Sequence, residues 1–355
     1  MPNFFTSESY LKSKYDVVGR QLGFHAQTED EWQIWRHELR GTVRRLLGLD
    51  RMVPTEPRPR ITEVVQCDGY RRERVEIDTE PGVTMPLYVL VPDTLRTGNK
   101  RTTPAVLALH GHDSAGKLPI AGLGDDPGVA ERISCYNYNY GEVAAQHGYI
   151  VFCPDARGFG ERRESFSQGA DQQFNSSCHQ LAHMALPLGM TVAGMWTWDL
   201  MRLIDYAATR PECSGRKLAA IGLSGGGLQT LWLSALDERV DCAVVSGYFY
   251  GAKDSLLHLS DNCDCNYVPH LWEYADMGDL GALVAPRPLL IESGLQDPLN
   301  GPRGIDNVKE QYAIASAAYS LTGALEKLTL DTFDGPHMWH GATYLQWLER
   351  WLGNA

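Results

Sequence analysis

The sequence has no excess of positive charge, no long apolar run and no dense cysteine pattern. Its 355 residues carry a formal net charge of −12, so the chain lacks the basic surface that nucleic-acid binding requires. No apolar run approaches the length of a membrane span, and the N-terminal residues lack the basic start and apolar core of a secretion signal. We therefore expect a cytoplasmic protein that binds neither nucleic acid nor membrane.

The eight cysteines are scattered rather than arranged as a disulfide framework. Several lie inside apolar runs, where a thiol acts as a small hydrophobic group. His179 and His183 are four residues apart, and one residue separates Cys263 from Cys265. Neither pair has a completing partner at the usual metal-site spacing. The sequence therefore predicts no metal and no cofactor.

Apolar segments alternate with segments of helical periodicity along most of the chain. Residues 29–47 have helical spacing, and residues 61–92 alternate as antiparallel strands do. Apolar strands are predicted at 105–109, 149–153, 218–221, 242–245, 289–292 and 328–333. Helices are predicted between and after them, at 141–147, 191–208, 228–236, 308–321 and 343–351. Apolar strands separated by helices indicate an α/β fold with a mostly parallel sheet covered on both faces.

The expected organisation is an N-terminal helical extension over residues 1–60 and one globular domain over 61–355. Two long segments, 156–190 and 248–285, lack periodicity and are rich in Gly, Asn, His and aromatic residues. Long loops in a compact domain are usually functional, so we expect them to cap a functional site. Two roles stay open for the N-terminal helix, a subunit contact in a homo-oligomer or a strap within one chain.

A Gly-x-Ser-x-Gly turn joins the strand at 218–221 to the helical segment at 228–236. In such a turn Ser224 occupies the apex of a sharp strand-to-helix connection, with its hydroxyl held out of the sheet. A Cβ at Gly222 or Gly226 would crowd the neighbouring strand and helix. The N–H of Gly225 then faces the place where an oxyanion would form. The pattern predicts a nucleophilic serine.

Two residues that follow later predicted strands supply the rest of the chemistry. A serine nucleophile needs a base, and the base needs an acid that orients it. Asp297 and His337 lie just past strand ends, where catalytic groups of parallel sheets collect. Asp254 is a rival acid. His340 is a rival base, which we expect to lie in the closing helix if that helix begins near residue 339.

The segment after the strand at 105–109 is expected to supply the second oxyanion donor, the main-chain N–H of His112. The run from His110 to Asp113 also begins a His-x-His-x-Asp-His metal pattern. Ser114 and Ala115 stand where that pattern needs Asp and His, so we reject the metal interpretation.

Residues from about 85 to 352 resemble the α/β-hydrolase superfamily, within it the dienelactone-hydrolase and acetyl-xylan-esterase-like bacterial serine hydrolases. The matching segments are His110–His112, Pro154–Glu161, Gly222–Gly227, Ala285–Pro288 with Asp297, and Gly335–His337. The resemblance implies a triad of Ser224, Asp297 and His337. It also implies a structural ion pair between Asp155 and Arg157. Dienelactone hydrolase itself uses a cysteine, so the serine here favours ordinary esters.

The resulting hypothesis is a cofactor-independent serine esterase. Its expected substrate is a short-chain acyl or acetyl ester of a small molecule or a carbohydrate. A peptidase or thioesterase with the same triad is one alternative, and a non-catalytic binding protein on this fold is another.

Overall fold

A nine-stranded sheet forms the centre of the molecule, a computed structural model that describes residues 5–97, 102–165, 172–213 and 215–353. The strands are β1 (Arg60–Gln66), β2 (Tyr70–Glu80), β3 (Val83–Pro92), β4 (Ala105–Leu109), β5 (Ile150–Pro154), β6 (Leu218–Leu223), β7 (Cys242–Ser246), β8 (Leu289–Gly294) and β9 (Leu328–Phe333). Their spatial order is β1-β2-β3-β5-β4-β6-β7-β8-β9. The first three strands and the β3–β5 pair are antiparallel, and all neighbours from β5 to β9 are parallel. The predicted strands and the mostly parallel sheet are confirmed.

Helices cover both faces of the sheet. They are α1 (Glu8–Val18), α2 (Glu29–Leu46), α3 (Thr94–Thr97), α4 (Pro127–Tyr136), α5 (Tyr140–Gln146), α6 (Cys178–Ala185), α7 (Val192–Thr209), α8 (Gly225–Leu236), α9 (Leu271–Tyr274), α10 (Met277–Val284), α11 (Ile305–Leu321) and α12 (Tyr344–Leu352). Residues of α2, α7, α8, α10 and α11 form one apolar cluster, and residues of α5 and α12 belong to a second. Alternate residues of β6 contribute to each cluster, which is why this strand is apolar throughout. Within the described ranges, every helix is too short or too polar to span a bilayer.

The helix α2 packs against the rest of its own chain. Thr28 caps its N-terminus by accepting a hydrogen bond from the N–H of Glu31 at 3.3 Å. Trp32 and Leu39 are buried in the core, as the helical stripe predicts. Arg40 donates to main-chain oxygens at the C-terminal ends of α8 and α10, 2.9 and 3.2 Å away. The helix α1, which the sequence analysis did not predict, buries none of its residues.

The two segments expected to be irregular contain helices. Residues 166–171 lie outside the described residues, but α6 falls within 156–190, and α9 and α10 fall within 248–285. The interpretation as plain loops is therefore wrong in part. Every residue of α10 is buried, so its sequence has no amphipathic period. A capping box was the available signal, since Asp276 accepts from Met277 N–H and Asp279 accepts from Asp276 N–H, at 2.8 and 2.9 Å.

The ion pair expected between Asp155 and Arg157 is also wrong. The buried Asp155 carboxylate instead accepts from Lys117 Nζ at 2.6 Å, on the loop after β4. Arg157 binds Asp199 of α7 through two hydrogen bonds of 2.9 and 2.7 Å. Each charge thus finds a partner on a different element, and the two pairs tie the β5 loop to both neighbours.

Replacing Lys117 by methionine is expected to lower the free energy of unfolding by about 3–5 kcal/mol, because a buried carboxylate loses its cation. Lys117 is only 1% exposed, and Asp155 is fully buried. Denaturant unfolding followed by circular dichroism measures the change. Lys309→Met is the matched control, since its side chain is 59% exposed and its pair with Asp306 is worth at most about 1 kcal/mol. Equal effects of the two substitutions would contradict the prediction.

Candidate active site

Ser224 lies between β6 and α8 in a strained backbone conformation. Its φ is +59° and its ψ is −118°, a region that residues other than glycine seldom adopt. Such a conformation costs about 1–3 kcal/mol and persists where the surrounding structure holds it. A hydrogen bond of 2.9 Å from Ser224 N–H to Ser246 O, at the end of β7, helps to hold it here. The strand–turn–helix context predicted for the motif is present.

The glycines of this turn are required by close packing. A Cβ added to Gly222 would lie 2.4 Å from the carbonyl carbon of Gly226. One added to Gly226 would lie 1.9 Å from the carbonyl oxygen of Leu109 in β4. The start of α8 can therefore approach β4 and β6 only without side chains at these positions, which brings the serine to the carboxyl edge of the sheet.

The sequence-predicted base and acid are hydrogen-bonded to each other. His337 Nδ1 lies 2.7 Å from Asp297 Oδ2, and the other carboxylate oxygen accepts from Leu299 N–H at 2.9 Å. The Asp297 side chain is 1% exposed, so its orientation is fixed by these two contacts. The ring of His337 packs on the chain after β7, since a Cβ at Gly247 would lie 2.8 Å from its Cε1.

The rival residues have other partners. His340 Nδ1 lies 3.1 Å from Asp331, and its ring stacks on Phe333 at a centroid distance of 4.4 Å. Asp254 forms an ion pair with Arg303. The prediction that His340 lies in the closing helix is wrong, because α12 begins only at Tyr344 and His340 precedes it in the loop. Pairing with Asp331, rather than position in a helix, separates it from His337.

Gly225 and His112 lie side by side next to the serine. The N–H of Gly225 belongs to the first turn of α8, where N–H groups have no partner within the helix. The N–H of His112 donates to no acceptor in the part of the chain that the structure describes. The carbonyl oxygen of His112 accepts from Tyr138 Oη at 3.0 Å, which orients this peptide segment. The ring of His112 contacts Gly225, since a Cβ there would lie 2.8 Å from ring atoms.

Ser224, His337, Gly225 and His112 lie on the wall of one cavity of about 300 Å³. It is lined by His112, Asp113, Tyr136, Tyr138, Ser224, Gly225, Tyr248, Tyr250, Asp261, Asn262, Cys263, Asn266, Leu299 and His337. The lining holds two carboxylates, several tyrosines and two amides, and these described residues include no lysine or arginine. The segment 261–266 belongs to the second long insertion, so that insertion forms part of the cavity wall, as the sequence analysis expected of a cap.

Comparison with known proteins identifies the family. A model of the Abhydrolase family, that is, of α/β-hydrolases, matches residues 12–328. The chain belongs to this family. The putative hydrolase YtaP of Bacillus subtilis is 26% identical over 302 residues, which cover 82% of this chain and 90% of the relative. The resemblance to α/β-hydrolases is thereby confirmed.

Solved structures of esterases share the fold of this α/β-hydrolase. A putative acetyl xylan esterase from Bacteroides fragilis has a TM-score of 0.75 and 20% identity, over 93% of this chain and 83% of that one. A glucuronoyl esterase from Solibacter usitatus has a TM-score of 0.63 and 16% identity, over 94% and 95% of the two chains. At these identities the likeness concerns the fold.

Three clusters of described side chains in this α/β-hydrolase bring together the donor types that bind metals. His179 and His183 meet Asp264, and Glu292 meets Asp331 and His340. The third cluster joins Cys263 and Cys265 to His112. The sequence analysis found no completing partner for the histidine pair or the cysteine pair, because Asp264 and His112 reach them from elsewhere in the chain. The first cluster is mostly exposed, and the second is held by ordinary hydrogen bonds.

Glu292 is fully buried in β8. Gly341 N–H donates to its Oε1 at 3.1 Å, and Asp331 lies nearby. Burial raises the pKa of Glu292 from its ordinary value of 4.5 to about 7. The sequence analysis did not single out this residue, because its burial is visible only in the folded sheet.

Stability is expected to fall by up to about 3 kcal/mol between pH 4.5 and pH 8 through Glu292. The folded state binds this proton more tightly than the unfolded chain does, so the contribution is complete below pH 4.5 and is lost as the pH rises through 7. Glu292→Gln should remove this loss, which urea unfolding at several pH values measures. Glu326→Gln, at an exposed position, is the control. Parallel pH curves for Glu292→Gln and the wild type would refute the prediction.

Proposed function

We propose that this chain is a serine hydrolase that cleaves carboxylic esters, in particular acetyl or other short acyl esters of carbohydrates or similar polyols. The observation that carries the proposal is the common cavity of Ser224 and His337, with the imidazole bound to Asp297 at 2.7 Å. A strained serine beside an oriented imidazole is the arrangement of an activated nucleophile.

In the proposed reaction, Ser224 Oγ attacks the ester carbonyl while His337 Nε2 takes its proton. Asp297 holds the imidazole in the tautomer with the proton on Nδ1 and stabilises the imidazolium. The N–H groups of Gly225 and His112 donate to the oxyanion of the tetrahedral intermediate. His337 then protonates the leaving alcohol, and water hydrolyses the acyl-enzyme by the same steps. These reaction steps need no cofactor.

The lining and volume of the cavity favour a small, uncharged and hydroxylated substrate. Arg132 pairs with Asp113 at 3.1 Å, but Asp261 would repel an anionic group, and no lysine or arginine among the lining residues would attract one. The carboxylates and the amide of Asn262 can bind hydroxyl groups, while tyrosine rings supply flat apolar surface for a sugar. A volume of about 300 Å³ suits an acetyl group with one sugar ring better than a long acyl chain.

Labelling with a fluorophosphonate tests the nucleophile. We expect a single adduct by intact mass, mapped to Ser224, because an activated serine forms a stable phosphonyl ester. His337→Ala should abolish labelling. His270→Ala removes an exposed histidine that pairs with Glu273, and it should leave labelling unchanged. A folded protein that takes up no label, or that is labelled elsewhere, would overturn the proposal.

Rates with 4-nitrophenyl esters of increasing acyl length, acetylated sugars, an acyl thioester and an aminoacyl anilide test the substrate class. The proposal predicts the highest kcat/KM for acetyl esters. Faster hydrolysis of the anilide or the thioester would instead favour a peptidase or a thioesterase with the same nucleophile.

A further inference from the structure

Three thiols and one imidazole meet beside the cavity, although they come from three separate parts of the chain. His112 follows β4, and Cys178 begins α6 within the first long insertion. Cys263 and Cys265 lie in the second insertion. We refer to these four residues as the Cys₃His cluster. Cys178 and Cys265 are buried, and Cys263 lines the cavity.

Three of the four donor atoms of the Cys₃His cluster are close to one another. Cys265 Sγ lies 3.3 Å from His112 Nε2. The donor atoms of His112, Cys263 and Cys265 all lie within 4.8 Å of one another. The thiol of Cys178 adjoins those of Cys263 and Cys265, but its sulfur lies outside the group of mutually close donor atoms, so ligation by Cys178 requires its side chain to turn toward them. Cys263 is also within reach of the His112 ring.

We propose that the Cys₃His cluster binds a zinc ion. Three cysteines and one histidine are a donor set of structural zinc sites, with Zn–S distances of about 2.3 Å and Zn–N distances of about 2.0 Å. In a tetrahedron of those dimensions, a sulfur and a nitrogen are about 3.5 Å apart. The observed separation of 3.3 Å between Cys265 and His112 is close to that value. On binding, the ion displaces the thiol protons to solvent, and no oxidant or reductant is needed.

Neighbouring polar groups suit a site with thiolate ligands. Asn266 Nδ2 donates to Cys265 Sγ at 3.6 Å, and its Oδ1 accepts from Tyr248 Oη at 2.9 Å. Donors of this kind orient metal ligands and offset the negative charge of thiolates.

The geometry favours zinc over a disulfide. All eight cysteines are free in this structure, and Cys263 and Cys265 both lie beside the imidazole of His112. A disulfide would use two sulfurs and leave the third thiol and the imidazole without a role. A tetrahedral ion uses all four donors.

Bound zinc would fasten both long insertions to the loop that carries the His112 N–H. With four protein ligands the coordination shell is closed, so the role is structural and no position is left open for substrate. The site does not depend on the hydrolytic reaction, and metal binding can be measured without any substrate.

Zinc content tests the proposal directly. The chain is purified without an affinity tag, thiols or chelators, incubated anaerobically with ZnCl₂, and freed of unbound metal on a desalting column. Elemental mass spectrometry should then find about one zinc per chain. Reconstitution with Co²⁺ should give the intense visible bands of a tetrahedral cobalt thiolate.

Serine variants locate the ion. Cys263→Ser and Cys265→Ser should lose zinc, while Cys135→Ser, which removes the exposed cysteine of α4, should retain it. If the first two variants do not fold, the zinc content and cobalt spectrum of the wild type still decide. No zinc in the reconstituted wild type would overturn the proposal. Zinc retained by both folded variants would also overturn it. So would a wild-type protein without metal in which a thiol count after denaturation shows that two cysteines form a disulfide.

Discussion

Replacing Ser224 by alanine is expected to lower kcat for ester hydrolysis by about 10⁴–10⁶-fold, because the nucleophile of the proposed reaction is lost. KM should change little, since the cavity wall loses only a hydroxyl oxygen. The φ of +59° at this position is strained for serine and alanine alike, so the substitution adds no new backbone strain. Initial rates with an acetyl ester at saturating concentration measure the effect.

The matched control is Ser320→Ala, a loss of one hydroxyl at an exposed position near the end of α11. It should have wild-type kcat. Thermal unfolding of both variants separates a chemical effect from a loss of structure. A folded Ser224→Ala protein that retained a tenth of the wild-type kcat would rule out the proposed mechanism.

The sequence analysis predicts the serine turn because its determinants are local. Gly222 and Gly226 stand at fixed offsets from Ser224, and the distances of 2.4 and 1.9 Å for added Cβ atoms explain why no larger residue fits. Asp297 and His337 are predicted from a weaker but general rule, the position of functional groups past the ends of parallel strands. The two residues are 40 positions apart in the sequence, and in the structure His337 Nδ1 lies 2.7 Å from Asp297 Oδ2.

Contacts between distant segments are what the sequence analysis missed. The Cys₃His cluster joins His112 to Cys263 and Cys265, 151 and 153 residues further on, and no spacing rule connects them. Asp155 and Arg157 are two residues apart, yet each pairs with a charge on another element. Pairings of this kind depend on how loops fold over the sheet, so a local pattern in the sequence cannot predict them.

Replacing Asp297 by asparagine is expected to lower kcat by about 10⁴-fold while the fold is preserved. The main-chain N–H of Leu299 donates to Asp297 Oδ1 at 2.9 Å, so the asparagine must place its carbonyl oxygen there. Its NH₂ group then occupies the position of Oδ2, 2.7 Å from His337 Nδ1, and donates to that nitrogen. The imidazole is thereby held with its proton on Nε2, where it cannot accept the proton of Ser224.

Asp297→Asn is expected to change more than the rate, because the substitution decides which ring nitrogen of His337 carries the proton. Nitrogen NMR of labelled histidine should find His337 protonated on Nδ1 in the wild type and on Nε2 in Asp297→Asn. Asp334→Asn is the matched control, since the exposed Asp334 on the His337 loop accepts from Gln296 at 2.8 Å rather than contacting the ring. Its kcat and tautomer should be those of the wild type. If Asp297→Asn changes the tautomer but not kcat, His337 is not the base. If it changes neither, another group orients the ring. If kcat falls and the tautomer changes in the same variant, the 2.7 Å contact between Asp297 and His337 is required for proton transfer.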